Sequence, residues 1–406
     1  MTLAVFVAPV FSPAASQMIE AAASLSGVRL AVVAQQPLDQ LSPQIAARLV
    51  GHWRVDDITD AAQLDWAVRE LSARLGPIER LFGAYEQAQL PLAMVREQLG
   101  IAGLPSATAN NFRDKARMKD VLRAAGIPVA RHRLIATRAD ALDFVREVGF
   151  PIVIKPPAGA GAVATQRVAD VAELDAFLAV HAASAAAPLL AEEFLRGTEH
   201  SLETITIDGR AVWHSLTHYR PTPLTVLENP WIQWGVVLPR ELDDPQFDDI
   251  KRIGDHALVV LGMTTGITHC EWFRRADGSA AISEIAARPP GAQITTMMAR
   301  AHDVDFIGAW VQLMVFGTFT SPTPKYAVAT AYLRGAGRGH IVAVDGTDQL
   351  LRRLDALVCD MKMPTIGHAP SSSYEGDGFI MLRHPETAVV ERALLEVIST
   401  VRVQLG

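Results

Sequence analysis

The sequence is poor in cysteine, since Cys270 and Cys359 are the only two in 406 residues. Two cysteines provide neither a disulfide framework nor the ligand spacing of a metal finger. Their scarcity fits a reducing compartment, so we expect a cytoplasmic protein and not a secreted, disulfide-stabilised one.

The sequence also lacks an excess of positive charge and any long apolar run. Its formal net charge is −7, which gives no electrostatic reason to expect a nucleic acid or an anionic membrane as partner. No apolar run approaches the roughly 18–20 residues that span a bilayer. The short apolar stretch at residues 3–7 has no basic residues before it, so we interpret it as a buried first strand and not as a signal peptide.

A third absence is the glycine-rich turn of dinucleotide-binding proteins. Residues 1 to about 110 alternate between strand and helix patterns, which predicts a doubly wound, parallel α/β sheet. The turn after the first strand reads A-P-V-F-S-P, without the spaced glycines that approach a pyrophosphate. The pattern therefore disfavours an NAD-dependent dehydrogenase.

What the sequence does contain is a pair of carboxylates in a predicted β-hairpin. The dipeptide at 277–278 is Asp-Gly between alternating apolar runs, which is a strong signal for a two-residue hairpin loop. A loop at these two positions places Glu271 directly opposite Glu284. Because side chains alternate along a strand, we expect Ile282 and Arg288 on the same face as the two glutamates.

Two carboxylates that face each other repel, so a cation is expected between them. A magnesium ion fits this requirement because it typically takes one or two carboxylates together with phosphate oxygens. The hairpin alone leaves two other interpretations open. In the first, the glutamates are exposed surface charges. In the second, they form a glycosidase-like pair for acid/base catalysis.

Lysines and glycines upstream suggest a phosphate site. Lys155 ends the apolar strand P-I-V-I-K, and the loop A-G-A-G-A with Gly159 and Gly161 follows closely. Small residues allow backbone amides to approach phosphate oxygens while the lysine supplies a charge, although an ordinary glycine-rich turn has the same composition. Lys115 and Lys119 lie one turn apart on a predicted helix, and either could reach a phosphate.

The segment A-E-E-F-L-R-G-T-E at residues 191–199 has the composition of a nucleotide-binding strand. A nucleotide needs apolar walls for its base, backbone hydrogen bonds to the base edge and a carboxylate for the ribose hydroxyls. This segment offers all three through Glu192, Glu193, Phe194, Leu195 and Glu199.

Taken in order, these motifs resemble the ATP-grasp superfamily. The series consists of D-K at 114–115, I-K-P-P with the glycines, E-E-F-L-x-G-x-E at 192–199, Glu271, and E-I-A-A-R at 284–288. The resemblance extends over the whole chain. It is greatest to the bacterial L-amino-acid ligases, with similarity also to biotin carboxylase and D-alanine–D-alanine ligase.

The resemblance implies an α/β fold, α+β overall, in three parts. A doubly wound N-terminal domain would occupy residues 1–111, and a central ATP-grasp domain would occupy residues 112–320 with a mobile lid at roughly 120–190. A C-terminal α+β domain would occupy residues 321–406. The implied activity is that of an ATP-dependent ligase that joins a carboxylate to an amine through an acyl-phosphate, with release of ADP and phosphate. Homodimers are common in similar families.

The resemblance also implies roles for single residues. ATP phosphates would be bound by Lys115 and Lys155 under the loop at Gly159 and Gly161. Adenine would be held by Glu192 and the segment of Glu193, Phe194 and Leu195, and the ribose by Glu199. Magnesium, or manganese, would be ligated by Glu271 and Glu284, while Arg288 and Lys155 would act in catalysis.

The substrates are less well defined by the sequence. Many family members carry an asparagine ligand where this chain has Ala286, so coordination of a second metal is in doubt. His269, Trp231, Trp234 and Gly291 are candidates for an amino-acid pocket, although the tryptophans are equally consistent with packing anchors. The amino-acid ligase is the leading hypothesis. A biotin-carboxylase-like or purine-type ligase and a non-catalytic nucleotide-binding regulator remain as alternatives.

Overall fold

A computed structural model describes residues 1–159, 164–229, 231–335 and 337–406. The strands are β1 (Thr2–Ala8), β2 (Val28–Ala34), β3 (Gly51–Arg54), β4 (Arg80–Phe82), β5 (His132–Ile135), β6 (Ile152–Lys155), β7 (Gln166–Val168), β8 (Leu189–Glu193), β9 (Gly197–Ile207), β10 (Arg210–Arg220), β11 (Gly235–Leu238), β12 (Gly266–Arg275), β13 (Ala280–Ala286), β14 (Ala327–Leu333), β15 (Ile341–Asp345), β16 (Val358–Lys362), β17 (Gly378–His384) and β18 (Arg402–Leu405).

The helices are α1 (Pro13–Ser24), α2 (Pro43–Ala46), α3 (Ala61–Leu75), α4 (Gln89–Leu99), α5 (Ser106–Arg113), α6 (Lys115–Ala124), α7 (Arg138–Val148), α8 (Val171–Val180), α9 (Pro223–Glu228), α10 (Asp248–Leu261), α11 (Ile294–His302), α12 (Phe306–Phe316), α13 (Thr347–Leu354) and α14 (Thr387–Thr400). Within the described ranges, none of these helices has the length and apolar character that crossing a membrane requires.

The N-terminal sheet is parallel, with strand order β3-β2-β1-β4. Ala4, Phe6 and Ala8 of β1 pack against α1 and α12 on one face of the sheet. Val5 and its alternate neighbours pack against α3 and α4 on the other face. Both faces are therefore covered by helices, as in a doubly wound sheet, and the predicted fold class is confirmed.

A second, antiparallel sheet has the order β5-β8-β6-β7 and packs against α7 and α8. In its register Lys155 pairs with Leu190, and Val153 pairs with Glu192. Because alternate residues of a strand share a face, this register places Lys155 and Glu192 on the same side of the sheet.

The largest sheet has the order β13-β12-β9-β10-β11-β14-β17-β16. Strands β14, β16 and β17, which follow residue 321, belong to the same sheet as the strands of the central region. The C-terminal region thus continues the central sheet and adds the pair β15–β18 with α13 and α14. The domain boundaries at residues 111 and 320 stay predictions.

The β12–β13 hairpin places Glu271 opposite Glu284, as predicted, but with a longer loop and a β-bulge. The predicted two-residue loop is wrong: the Arg275 amide donates to Ser279 O at 2.9 Å, so the loop has three residues. Ser283 then forms a β-bulge that restores the expected pairing at the glutamates.

The bulge also corrects one facing assignment. The extra residue turns Ile282 to the opposite face, where it packs with Cys270 and Trp272. A bulge bends an edge strand and increases its local twist. Next to the bulge, the Ile282 amide of β13 donates a hydrogen bond to Pro128 O at 2.9 Å.

The same opposite face carries two largely buried histidines on neighbouring strands. His200 and His218 are direct partners across β9 and β10, with their Nδ1 atoms 2.7 Å apart, and His200 stacks on Trp272. Burial, followed by the proximity of His218, lowers the pKa of His200 to about 3. Burial, followed by the charge of Arg220, lowers the pKa of His218 to about 4.

These histidines predict a pH dependence of stability. An unfolded histidine binds a proton near pH 6.5, whereas the folded pair does so only near pH 3–4. The unfolded state therefore binds more protons as the pH falls, and stability decreases between pH 7 and pH 4. We expect the double variant His200→Gln/His218→Gln to show a shallower decrease in urea unfolding free energy.

The exposed His368→Gln variant controls for the loss of an imidazole, and it should retain the wild-type slope. An unchanged slope in the double variant would contradict the assignment of this pH dependence to the buried pair.

Candidate active site

A cavity of about 470 Å³ lies where the large sheet, the antiparallel sheet and the N-terminal region meet. Almost all of the site residues predicted from the sequence line it. They are Lys115, Lys155, Gly159, Glu192, Glu193, Phe194, Leu195, Glu199, Trp234, His269, Glu271, Glu284, Arg288 and Gly291. The motifs that are spread over the chain therefore converge on one place.

Two predicted residues stand apart from this set. Gly161 lies outside the described residues. Trp231 is not among the cavity walls, and its side chain is 67 % exposed, so its role as a pocket residue stays a prediction.

The two glutamates of the hairpin face into the cavity and are partly exposed, by 29 % for Glu271 and 19 % for Glu284. Lys115 Nζ lies 2.8 Å from Glu284 Oε1. Tyr219 donates a long hydrogen bond of 3.4 Å to Glu271 Oε1. The repulsion that the sequence predicts is thus partly balanced by an ammonium group on one side of the pair.

The pKa values of the carboxyl groups reflect this balance. Burial raises the pKa of Glu284, but Lys115 and then Lys155 outweigh burial and hold it at about 2. The pKa of Glu199 is instead well above its usual range, because burial and then the negative charge of Glu271 both disfavour ionisation. The two neighbouring carboxyl groups are thus shifted in opposite directions, according to whether lysine charges or burial dominates.

Glu192 lies between two lysines. Lys119 Nζ is 3.1 Å from its Oε1 atom, and Lys155 Nζ is 3.1 Å from its Oε2 atom. Each oxygen of this buried carboxylate therefore has its own ammonium partner. Lys119 and Lys155 together favour the ionised form of Glu192 at the wall of the cavity.

Two cationic side chains bind the backbone carbonyl of Gly159 at the start of the glycine loop. Lys115 Nζ donates to Gly159 O at 2.8 Å, and Arg113 Nη1 donates to the same oxygen at 3.1 Å. Lys115 therefore contacts both the loop backbone and Glu284.

Arg288 is paired with a residue that the sequence analysis missed. Glu86, which follows β4, accepts hydrogen bonds from Arg288 Nη2 at 2.9 Å and Nε at 3.1 Å. Arg113 Nη1 lies 3.3 Å from the other oxygen of Glu86. The position of Glu86 after a parallel strand was a usable signal, because ligand sites in such sheets form at the carboxyl ends of the strands.

His269 is held in the cavity by a buried carboxylate. Its Nδ1 lies 2.8 Å from Oε1 of the fully buried Glu203, and its Nε2 lies 3.7 Å from Glu271 Oε1. Burial lowers the pKa of His269, but the hydrogen bonds with Glu203 and Glu271 outweigh burial and raise it to about 9. The imidazole faces Ala286, its direct partner across the hairpin.

Aromatic side chains form another part of the cavity wall. Trp234 is buried and stacks on Tyr332 with ring centroids 4.6 Å apart. Tyr374, from the C-terminal region, meets the Trp234 ring edge-on at 4.8 Å. Tyr374 and Tyr219 were missed, because no local pattern in the sequence associates them with the site.

The chemistry of these residues fits a nucleotide with a divalent cation. In the part of the chain that the structure describes, no cluster of three or more His, Cys, Asp or Glu side chains forms a metal cage. Two facing carboxylates agree with magnesium, which takes few protein ligands and completes its shell with water and phosphate oxygens.

Comparison with known proteins supports this interpretation. Residues 120–302 match the ATP-grasp domain. The chain is 25 % identical to the L-arginine-specific L-amino acid ligase of Bacillus subtilis over 283 aligned residues. The aligned region covers 66 % of this chain and 67 % of that protein.

Solved structures agree in fold. An L-amino acid ligase from Bacillus licheniformis has a TM-score of 0.79 at 18 % identity, over 100 % of this chain and 99 % of that one. A carboxyaminoimidazole ribonucleotide synthase from Aspergillus clavatus, solved with ATP, has a TM-score of 0.72 at 16 % identity, over 98 % of each chain. Residues 120–302 therefore form an ATP-grasp domain. The similarity of the chain to ligases over most of its length indicates an ATP-dependent ligase.

The ion pairs around Glu86 yield a stability prediction. The Glu86→Gln substitution removes the charge that balances Arg288 and Arg113, and all three side chains are largely buried. Removing one partner of a buried ion pair costs about 3 kcal/mol or more. We expect a loss of that order in the free energy of urea unfolding.

Asp175→Asn serves as the matched control, because it breaks an exposed ion pair with Arg138. Exposed pairs contribute below about 1 kcal/mol. Equal losses in the two variants would show that the Glu86 cluster contributes no more than a surface pair.

Proposed function

We propose that this ligase joins two amino acids into a dipeptide or a closely similar amide, through an acyl-phosphate formed at the expense of ATP. The observation that carries the proposal is the convergence of Lys115, Lys155, the two facing glutamates and Arg288 on one cavity. Phosphoryl transfer depends mainly on positioning and charge neutralisation, which these groups supply.

The nucleotide would occupy the end of the cavity that lies between the two antiparallel layers. Lys115 and Lys155 would bind phosphate oxygens, and the backbone at Gly159 would approach them. Glu192 would accept a hydrogen bond from the nucleotide at the wall of the cavity, beside the backbone of Phe194 and Leu195. The high pKa of Glu199 fits a group that changes its hydrogen bonding when a ribose and a cation arrive.

A magnesium ion would be held by Glu271 and Glu284. When bound, it supplies positive charge to phosphate oxygens and relieves the repulsion between the carboxylates. Lys115, which contacts Glu284 at 2.8 Å, would then be released toward phosphate oxygens.

The chemical steps need no nucleophilic side chain. A substrate carboxylate oxygen attacks the γ-phosphorus of ATP, and ADP leaves with its electron pair. The amine of the second substrate attacks the acyl carbon, phosphate leaves, and a proton is lost from nitrogen. Arg288 is placed to neutralise charge on the transferred phosphoryl group, because Glu86 fixes its guanidinium at the cavity wall.

The aromatic end of the cavity supports amino acids as substrates. Trp234, Tyr374 and Ile294 form apolar walls, while His269 and Arg288 are cationic groups that suit a carboxylate. Small-molecule sites combine apolar walls with few polar groups that fix orientation. The curated relative is an amino-acid ligase, which agrees with this choice.

The direct test incubates the protein with ATP, Mg²⁺ and a panel of amino-acid pairs, measures phosphate release and identifies products by mass spectrometry. We expect release that depends on both amino acids and a product with a new amide bond. Release only with bicarbonate and an aminoimidazole ribonucleotide would favour the purine-type ligase. ATP binding without turnover on any carboxylate would favour the regulatory alternative.

Substitution of a hairpin glutamate provides the second part of this test. Glu284→Gln should lower product formation about 100-fold or more, since it removes charge stabilisation at the reacting phosphate. Glu147 has an exposed side chain on α7, outside the cavity, so Glu147→Gln should retain wild-type activity. Full activity of the Glu284 variant would refute the metal assignment.

A further inference from the structure

Lys119 is a fully buried lysine to which the proposed chemistry gives no role. It lies one turn after Lys115 on α6, its side chain is 0 % exposed, and it is not among the cavity walls. Lysine is rarely buried without a specific partner, because removing an ammonium group from water is costly. Its contacts therefore need a functional explanation.

The first contact of Lys119 is with Glu192. Its Nζ lies 3.1 Å from Oε1, on the opposite side of the carboxylate from Lys155, which lies 3.1 Å from Oε2. Burial would raise the pKa of Glu192, but Lys119 and then Lys155 outweigh it and lower that pKa. Two lysines thus keep one buried carboxylate ionised and fix its orientation.

The second contact of Lys119 is with the bulge of the hairpin. Its ammonium donates to the backbone carbonyl of Ser283, the extra residue that restores the pairing of Glu271 and Glu284. A bulge interrupts the regular ladder of hydrogen bonds, so its backbone groups need other partners. Lys119 supplies one from a different element.

We propose that Lys119 is a positioning residue that fixes the nucleotide-binding carboxylate Glu192 and the metal-binding hairpin at Ser283 with a single buried ammonium group. It acts through these two groups and does not touch the substrates. The inference rests on the proposed function, because it assumes that Glu192 and the hairpin glutamates bind a nucleotide and its cation.

The consequence is a specific loss on substitution. In Lys119→Met the side chain keeps much of its apolar length but has no charge and no donor. Glu192 then has one lysine fewer, and the Ser283 carbonyl loses its ammonium partner. A hydrogen bond to a charged group typically corresponds to an effect of about tenfold or more, so we expect nucleotide affinity to fall by about that factor.

The test measures ADP binding in the presence of Mg²⁺ by titration calorimetry, which requires no turnover. The proteins are the wild type, Lys119→Met, Glu192→Gln and the double variant, with thermal unfolding recorded for each. If Lys119 acts through Glu192, the substitution at Lys119 weakens ADP binding about tenfold in the wild-type background and far less in the Glu192→Gln background. A general structural defect would weaken binding equally in both backgrounds and would overturn the proposal.

A matched control and a second variant complete the design. Arg123→Met removes an exposed cation from the same helix and should leave ADP affinity unchanged. If Lys119→Met does not fold, Lys119→Gln replaces it, because glutamine keeps a donor for the carbonyl while losing the charge. ADP binding by a folded Lys119 variant at wild-type affinity would refute the inference and leave the proposed function intact. Absence of binding by the wild type would refute both.

Discussion

The opposition of Glu271 and Glu284 is the constraint on which the arrangement of this site depends. Two carboxylates that are direct partners in an antiparallel pair repel each other, and the protein retains them at the wall of a cavity. The cost is reduced by Lys115, which contacts Glu284 at 2.8 Å. The pKa of the neighbouring Glu199 lies well above its usual range, because burial and then the charge of Glu271 disfavour its ionisation. A cation bound between the two facing carboxylates would relieve their repulsion, as the proposed function requires.

Helix α6 carries two lysines that contact carboxylates of the site. One helical turn separates Lys115, which faces Glu284, from Lys119, which faces Glu192. The side chain of Asp114 caps the helix by accepting from two backbone amides of its first turn. A single short helix therefore contacts both Glu192 and Glu284 of the facing pair. The N-terminal region contributes Glu86 from the opposite side.

Much of this site could be predicted from the sequence, because caps, strand alternation and hairpin signals are local. The facing glutamates were identified although the loop length was wrong, since the bulge at Ser283 compensated for it. No local rule predicts where such a bulge forms. Glu86 lies 202 residues from Arg288, and Tyr374 reaches Trp234 from the C-terminal region. Contacts of this kind depend on how whole layers pack, which motif spacing does not encode.

The most direct test of this account is the binding of Mn²⁺, as a substitute for Mg²⁺, measured by electron paramagnetic resonance in the presence of ADP. The wild type is expected to bind the ion, and Glu271→Gln and Glu284→Gln are each expected to weaken binding by at least about tenfold, since each removes an oxygen ligand with its charge. Binding of the ion with wild-type affinity by the double variant Glu271→Gln/Glu284→Gln would contradict the claim that the facing carboxylates exist to hold a cation.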